Sequence, residues 1–159
     1  MKVGFGYDSH RFAGDRKLLL GGVEVPYDRG LVGHSDADVL IHAIADALLG
    51  AVGEGDIGGH FPDTDSTFKD ISGMKLLQIV SNIVINSGYE TVHIDATIVI
   101  EKPRIKDYVH RMSANISSVL SIDIGQVNIK VKSNEGMGWI GSGEGAASCA
   151  VVTVKKREI

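Results

Sequence analysis

The stretch Ser35-Asp36-Ala37-Asp38-Val39-Leu40-Ile41-His42-Ala43-Ile44-Ala45-Asp46-Ala47-Leu48-Leu49 decides the fold class, because it is the clearest helix in a chain otherwise rich in short strands. Ala and Leu, both strong helix formers, dominate it. Ser35 with Asp38 three residues on resembles a capping box, Asp standing where Glu or Gln is usual, and Gly50 or Gly53 can end the helix. Upstream, residues 2–7 read as a strand, and 17–20 with 23–25 as a second strand region that Gly21-Gly22 interrupts. Downstream, 53–73 is loop-like, dense in Gly and Asp, and 74–86 is a helix with Leu76, Leu77, Val80, Ile83 and Val84 at helical spacing. Residues 92–100 alternate as a strand that Pro103 closes, and 105–120 form a third helix. A strand at 127–132, a glycine-rich loop at 134–145 and a last strand at 146–155 complete the chain. Strands alternating with helices predict an α/β (α+β sandwich) fold, one mainly β-sheet layer covered on one face by helices. With no linker and no repeat, residues 1–159 are expected to be one domain.

Sixteen Lys+Arg against 20 Asp+Glu leave a net charge of −4, which argues against nucleic acid as a partner. A phosphorylated small molecule stays open, since metals and backbone N–H groups can carry an anion. The single cysteine, Cys149, sits in an apolar run and reads as a buried structural thiol. The N-terminus turns polar too early for a signal peptide, and no apolar run reaches the ~18 residues of a membrane span. A soluble, cytoplasmic protein with no membrane partner is the expectation.

Asp8 and His10 are two apart, so in an extended chain they point to one side and can converge on one ion. His42 lies on the helix, with Asp38 and Asp46 on its face at i−4 and i+4, either of which could orient it. Two imidazoles and one carboxylate with a fourth position open suit a catalytic zinc. Spacing alone leaves the alternative, a chance Asp-X-His and a solvated helix histidine. His34 and Ser35 precede the helix, where an anion could dock, although Ser35 could equally be only a cap. The loop of Asp56, Ile57, Gly58, Phe61, Pro62, Asp63, Thr64 and Asp65 suits a polyol or a metal, or is a plain surface turn. Residues 135–145 hold many glycines yet lack the Gly-Lys-Ser/Thr ending of a P-loop, a weak phosphate signal by itself.

The order of these segments resembles the 2-C-methyl-D-erythritol 2,4-cyclodiphosphate synthase family. The likeness runs through Gly-Tyr-Asp-Ser-His at 6–10, His-Ser-Asp-Ala-Asp-Val at 34–39, His42, Gly-Asp-Ile-Gly at 55–58, Phe-Pro-Asp-Thr-Asp at 61–65, Pro103, Lys130 and Gly-Ser-Gly-Glu-Gly at 141–145. The resemblance implies zinc on Asp8, His10 and His42, and His34 and Ser35 against phosphate. It implies Asp56, Ile57 and Gly58 at the sugar alcohol, and Phe61, Pro62, Asp63, Thr64 and Asp65 at the erythritol phosphate end. Ile100, Pro103, Arg104, Ile105 and Lys106 would form a cytidine pocket. Ser133 would polarise the diphosphate, flanked by Lys132 and Asn134, and Glu135 would hold a second ion, magnesium or manganese. The implied reaction is ring closure of 4-diphosphocytidyl-2-C-methyl-D-erythritol 2-phosphate with loss of CMP, by a homotrimer whose active sites are shared between subunits. Three departures stand out: Ser142 replaces an arginine frequent in the family, Trp139 replaces a phenylalanine, and Lys132-Ser133-Asn134 stands where a run of threonines is common. The rival functions are a zinc-dependent phosphoesterase and a non-enzymatic metal- or ligand-binding trimer.

Overall fold

The computed structural model describes residues 1–158. Strands β1 (Lys2–Gly14), β4 (Arg29–Val32), β5 (Tyr89–Val99), β6 (Val127–Lys132) and β7 (Gly145–Lys156) form one mixed sheet in the order β4-β1-β7-β5-β6. Only β5 and β6 run parallel; the other pairs are antiparallel. β2 (Leu18–Leu20) and β3 (Val23–Val25) make a separate hairpin around Gly21-Gly22. Helices α1 (Val39–Val52), α3 (Gly73–Asn86) and α4 (Val109–Leu120) cover one face, the α+β sandwich that the alternation predicts. Two short helices, α2 (Ile57–His60) and α5 (Gly138–Gly141), lie within segments read from sequence as plain loops.

The central contact is α1 on β1, and glycine makes it possible. Gly4 and Gly6 face the helix, and a methyl on either would overlap the carbonyl oxygen of Ala47 or Ala43. Ala43, Ala47 and Ala51 recur every four residues, so a small ridge of the helix lies against a bare strip of strand. Beyond those glycines the same side of β1 carries Asp8 and His10, which are thereby aimed at α1. Leu40, Ile41, Ile44, Leu48 and Leu49 are fully buried and fill the space towards the other elements.

Several boundaries differ from expectation. β1 continues to Gly14, β4 is an additional strand, and α4 starts at Val109 after a 3₁₀ turn over Lys106–Tyr108. The cap of α1 is Asp38, whose side chain accepts from the Ile41 N–H, and not Ser35. Gly53, at φ 85°, ends the helix by donating to Gly50 and Leu49. Asp38 is fully buried and also accepts from the N–H groups of Gly21 and Gly22, which ties the β2–β3 turn to the start of α1. Burial pushes its carboxyl up, against those hydrogen bonds.

On the side of the sheet away from the helices, Val3, Phe5, Tyr7 and Val151 are 65%, 64%, 53% and 42% exposed. Cys149, expected to be buried, is half-buried on this side of β7. Among the described residues no helix is long and apolar enough to cross a membrane.

Candidate active site

β1 and α1 bring Asp8, His10 and His42 together at the end of their contact. Asp8 Oδ2 lies 2.8 Å from His10 Nε2 and 2.9 Å from His42 Nδ1, and the two nitrogens are 3.2 Å apart. The outward nitrogens have partners of their own. His10 Nδ1 is 2.8 Å from the Val32 carbonyl oxygen, and His42 Nε2 is 2.9 Å from Ser35 Oγ. A carbonyl oxygen only accepts, so His10 carries a proton on Nδ1, which in the neutral ring leaves a lone pair on Nε2. If His42 donates from Nε2 to Ser35, the inward corner consists of two lone pairs and a carboxylate oxygen. Three acceptors facing one another need a cation between them.

The electrostatics agree. Burial alone would raise the Asp8 carboxyl, but the hydrogen bonds and charges of His10 and His42 hold it down at about 2. Burial disfavours the charged His10 ring, yet the hydrogen bond and charge of Asp8, with the Val32 carbonyl, raise its pKa. Without a metal a proton on His10 serves as the cation. The separations are short enough for one ion, with zinc–nitrogen bonds of about 2.0–2.1 Å, to touch all three. The donor set therefore fits zinc.

Neither acid on the helix face orients His42. Asp38 is occupied by three backbone N–H groups, and Asp46 accepts from the Ile57 N–H at 2.8 Å. Ser35 takes that place, also accepting from the Ala37 N–H. Asp46 has a role that its sequence position did not reveal: it ties α2, and with it Ile57 and Gly58, to α1.

The trio opens on a hollow of about 270 Å³ that His34, Ser35, Ile57, Gly58, Phe61 and Asp63 also line. Nε2 of His34 is buried there without a hydrogen-bond partner. Asp56 caps α2 through the Gly59 N–H, and Asp65 accepts from the Thr67 N–H, so both carboxylates organise their own loop. Pro62, Thr64 and Asp65 do not line the hollow.

A second, larger groove of about 970 Å³ runs between α4 and β6. Ile100, Pro103, Arg104, Ile105 and Lys106, which the resemblance assigns to a cytidine pocket, line it together with Ser133. Lys132, Asn134, Glu135 and Trp139 do not line it. Lys132 alternates to the other side of the strand from Val131 and Ser133. Glu135 stands beside the groove, Oε1 3.5 Å from Ser133 Oγ. Trp139 borders a separate hollow with Arg11 and Glu144. Across the sheet Asp8 pairs with Ser148, Ser148 with Ile98, and Ile98 with Val131. The trio and the groove thus lie towards the same end of the sheet, with β7 and β5 between β1 and β6.

Fold and site together define a mixed-sheet α+β protein with a trio of two histidines and one carboxylate placed so that it could hold a metal ion. The chain belongs to the YgbB family, whose model matches residues 1–155. It is 52% identical over 157 residues to a 2-C-methyl-D-erythritol 2,4-cyclodiphosphate synthase of Clostridium botulinum, covering 99% of this chain and 100% of that one. A Clostridioides difficile protein of the same name is 51% identical over 151 residues, covering 95% of this chain and 94% of its own. Among solved structures, the bifunctional IspDF of Campylobacter jejuni superposes with a TM-score of 0.95 at 40% identity, covering 99% of this chain and 42% of that one. A CDP complex of Plasmodium falciparum IspF gives 0.86 at 29%, covering 99% and 97%.

Proposed function

We propose that the chain is a metal-dependent cyclodiphosphate synthase, a phosphorus–oxygen lyase that converts 4-diphosphocytidyl-2-C-methyl-D-erythritol 2-phosphate to 2-C-methyl-D-erythritol 2,4-cyclodiphosphate and CMP in non-mevalonate isoprenoid precursor synthesis. The observation that carries the reading is the inward corner of Asp8, His10 and His42, three acceptors that a divalent ion satisfies. An oxygen of the 2-phosphate forms a bond to the β-phosphorus, and the bond from that phosphorus to the CMP oxygen breaks, CMP leaving with the electron pair. Both reacting groups are anionic, so repulsion and placement are the chief obstacles and no protein nucleophile is required.

Zinc held by the trio would neutralise phosphate oxygens there, and magnesium or manganese on Glu135 would do so at the diphosphate. A single carboxylate suits the latter, since such ions are usually held by one or two carboxylates together with substrate phosphates. His34, whose Nε2 lacks a protein partner, donates to a phosphate oxygen, and Ser35 fixes His42. Ser133 donates its hydroxyl to the diphosphate. Ile57, Gly58, Phe61 and Asp63 receive the methylerythritol end, and Asp56 and Asp65 hold the loops that carry them. Ile105 and Ile100 bury the base while Arg104 and Lys106 offer positive charge. Within one chain the trio and the groove open on different strands of the sheet. A homotrimer would set one subunit's trio against its neighbour's groove, and the exposed row of Val3, Phe5, Tyr7 and Val151 would supply an apolar contact face.

Incubation with the cytidine substrate, with and without chelator, followed by mass spectrometry tests the reading. Cyclic diphosphate and CMP formed only with metal are expected. An open-chain monoester would instead identify a phosphoesterase, and no turnover a binding protein.

A further inference from the structure

We infer that Glu101 is a positioning residue whose carboxylate clamps the 133–136 turn, setting Ser133 and Glu135 at the edge of the groove; this rests on the reading of Glu135 as the second ion's ligand. Glu101 follows the end of β5 and lines the groove beside Ile100. Its two carboxylate oxygens accept from two different backbone groups, Oε2 from the Asn134 N–H at 2.9 Å and Oε1 from the Gly136 N–H at 3.0 Å. The residue between those anchors is Glu135 itself, a non-glycine held at φ 54°, followed by Gly136 at φ 72°. A left-handed conformation is unfavourable for a side-chain-bearing residue, so contacts from outside the turn help to hold it.

The turn, closed by the Met137 N–H on the Asn134 carbonyl, points the Asn134 and Gly136 N–H groups to one side and makes a small anion-binding concavity. Glu101 is the anion in it. The hydrogen bonds are charge-assisted, the stronger kind, and their fork shape fixes the turn's direction as well as its distance. The far side of the turn is also closed, because a methyl on Gly141 would overlap the Gly136 backbone. Ser133 Oγ accepts from the Glu135 N–H at 3.3 Å, so the hydroxyl and the carboxylate at the groove edge move with the same clamp. With its N–H groups filled by Glu101, the turn offers a cation the Glu135 carboxylate and does not draw phosphate into its backbone.

The test uses the full chain with Glu101→Ala, Glu101→Gln and Glu135→Gln. Three quantities are read in each: the magnesium concentration for half-maximal turnover, manganese affinity by electron paramagnetic resonance, and amide exchange at 134 and 136. Glu101→Ala is expected to raise the half-saturating magnesium about tenfold, as the loss of charge-assisted hydrogen bonds implies, and to weaken manganese equally. Glu101→Gln, which keeps one acceptor oxygen and tests the clamp even if the alanine variant folds poorly, is expected to give about a threefold rise. Zinc content stays at the wild-type value in both. A purely structural role would lower the yield of folded protein without moving the ion affinity of the folded fraction, and that result overturns the inference. If Glu135→Gln shifts the magnesium requirement and neither Glu101 variant does, the inference fails alone. If Glu135→Gln shifts nothing, the reading of Glu135 fails and the inference falls with it.

Discussion

The Ser35 hydroxyl lies 2.9 Å from Nε2 of His42, so the group that orients the helix imidazole comes from the loop ahead of the helix and not from the helix's own acids. A ligand histidine held at its outer nitrogen keeps its lone pair aimed at the ion, and such partners matter nearly as much as the ligands. Ser35→Ala is therefore expected to weaken zinc binding by about 10–100-fold. Competition against a chromophoric chelator measures this, and an unchanged affinity would show that His42 needs no such partner.

Close packing of β1 on α1 gives a stability test with an internal control. Gly6→Ala places a methyl on the Ala43 carbonyl oxygen, a backbone atom that cannot swing aside, and is expected to cost about 3 kcal/mol or more in urea unfolding. Gly50→Ala sits within α1 with open space around it and should instead stabilise by about 0.5–1 kcal/mol. Equal effects at the two positions would mean that the glycine strip does not set the approach.

The metal-free trio should carry a pH signature. The Asp8 carboxyl is lowered from 3.8 to about 2, so its contribution of about 2 kcal/mol is present above pH ~4 and lost as pH falls towards 2. His10 is raised above 6.5, so its contribution is complete below that pH and lost as pH rises through its folded value. Between these limits the chelator-treated protein is expected to gain most from the trio, and Asp8→Asn should flatten both edges. Zinc reverses the upper edge, because it displaces the His10 proton and so binds more tightly as pH rises. Melting temperature against pH, with chelator and with zinc, reads both behaviours.

Asp38→Ala leaves the N–H groups of Gly21 and Ile41 unpaired in a buried place and removes the partner of the Gly22 N–H. Loss of stability by roughly 3 kcal/mol in denaturant unfolding is expected, together with detachment of the β2–β3 turn seen as faster amide exchange at 21 and 22. A near-neutral variant would mean that water replaces the carboxylate there.

Much of this was legible along the chain. The two-residue spacing of Asp8 and His10 puts them on one side of a strand, and the helix through His42 is plain from composition. The cap was not. Ser35 and Asp38 are both good cap residues, and the backbone decides between them: Ala37 turns at φ 55°, which leaves Asp38 at the helix start and frees Ser35 for His42. The strand whose Val32 carbonyl fixes His10 is four residues long and contains Gly30, too short and interrupted for a periodicity to show. Glu101 carries no local signal at all, since its partners lie 33 and 35 residues on and meet it only through the pairing of β5 with β6.

Metal content and turnover, measured together in the wild type and in His42→Ala, test the central claim most directly. The wild type is expected to hold one zinc per chain and to form the cyclic diphosphate. The variant is expected to remain folded, to lose that zinc and to lose ring closure. Full turnover by the variant in the presence of chelator would contradict the assignment of Asp8, His10 and His42 as the site on which the reaction depends.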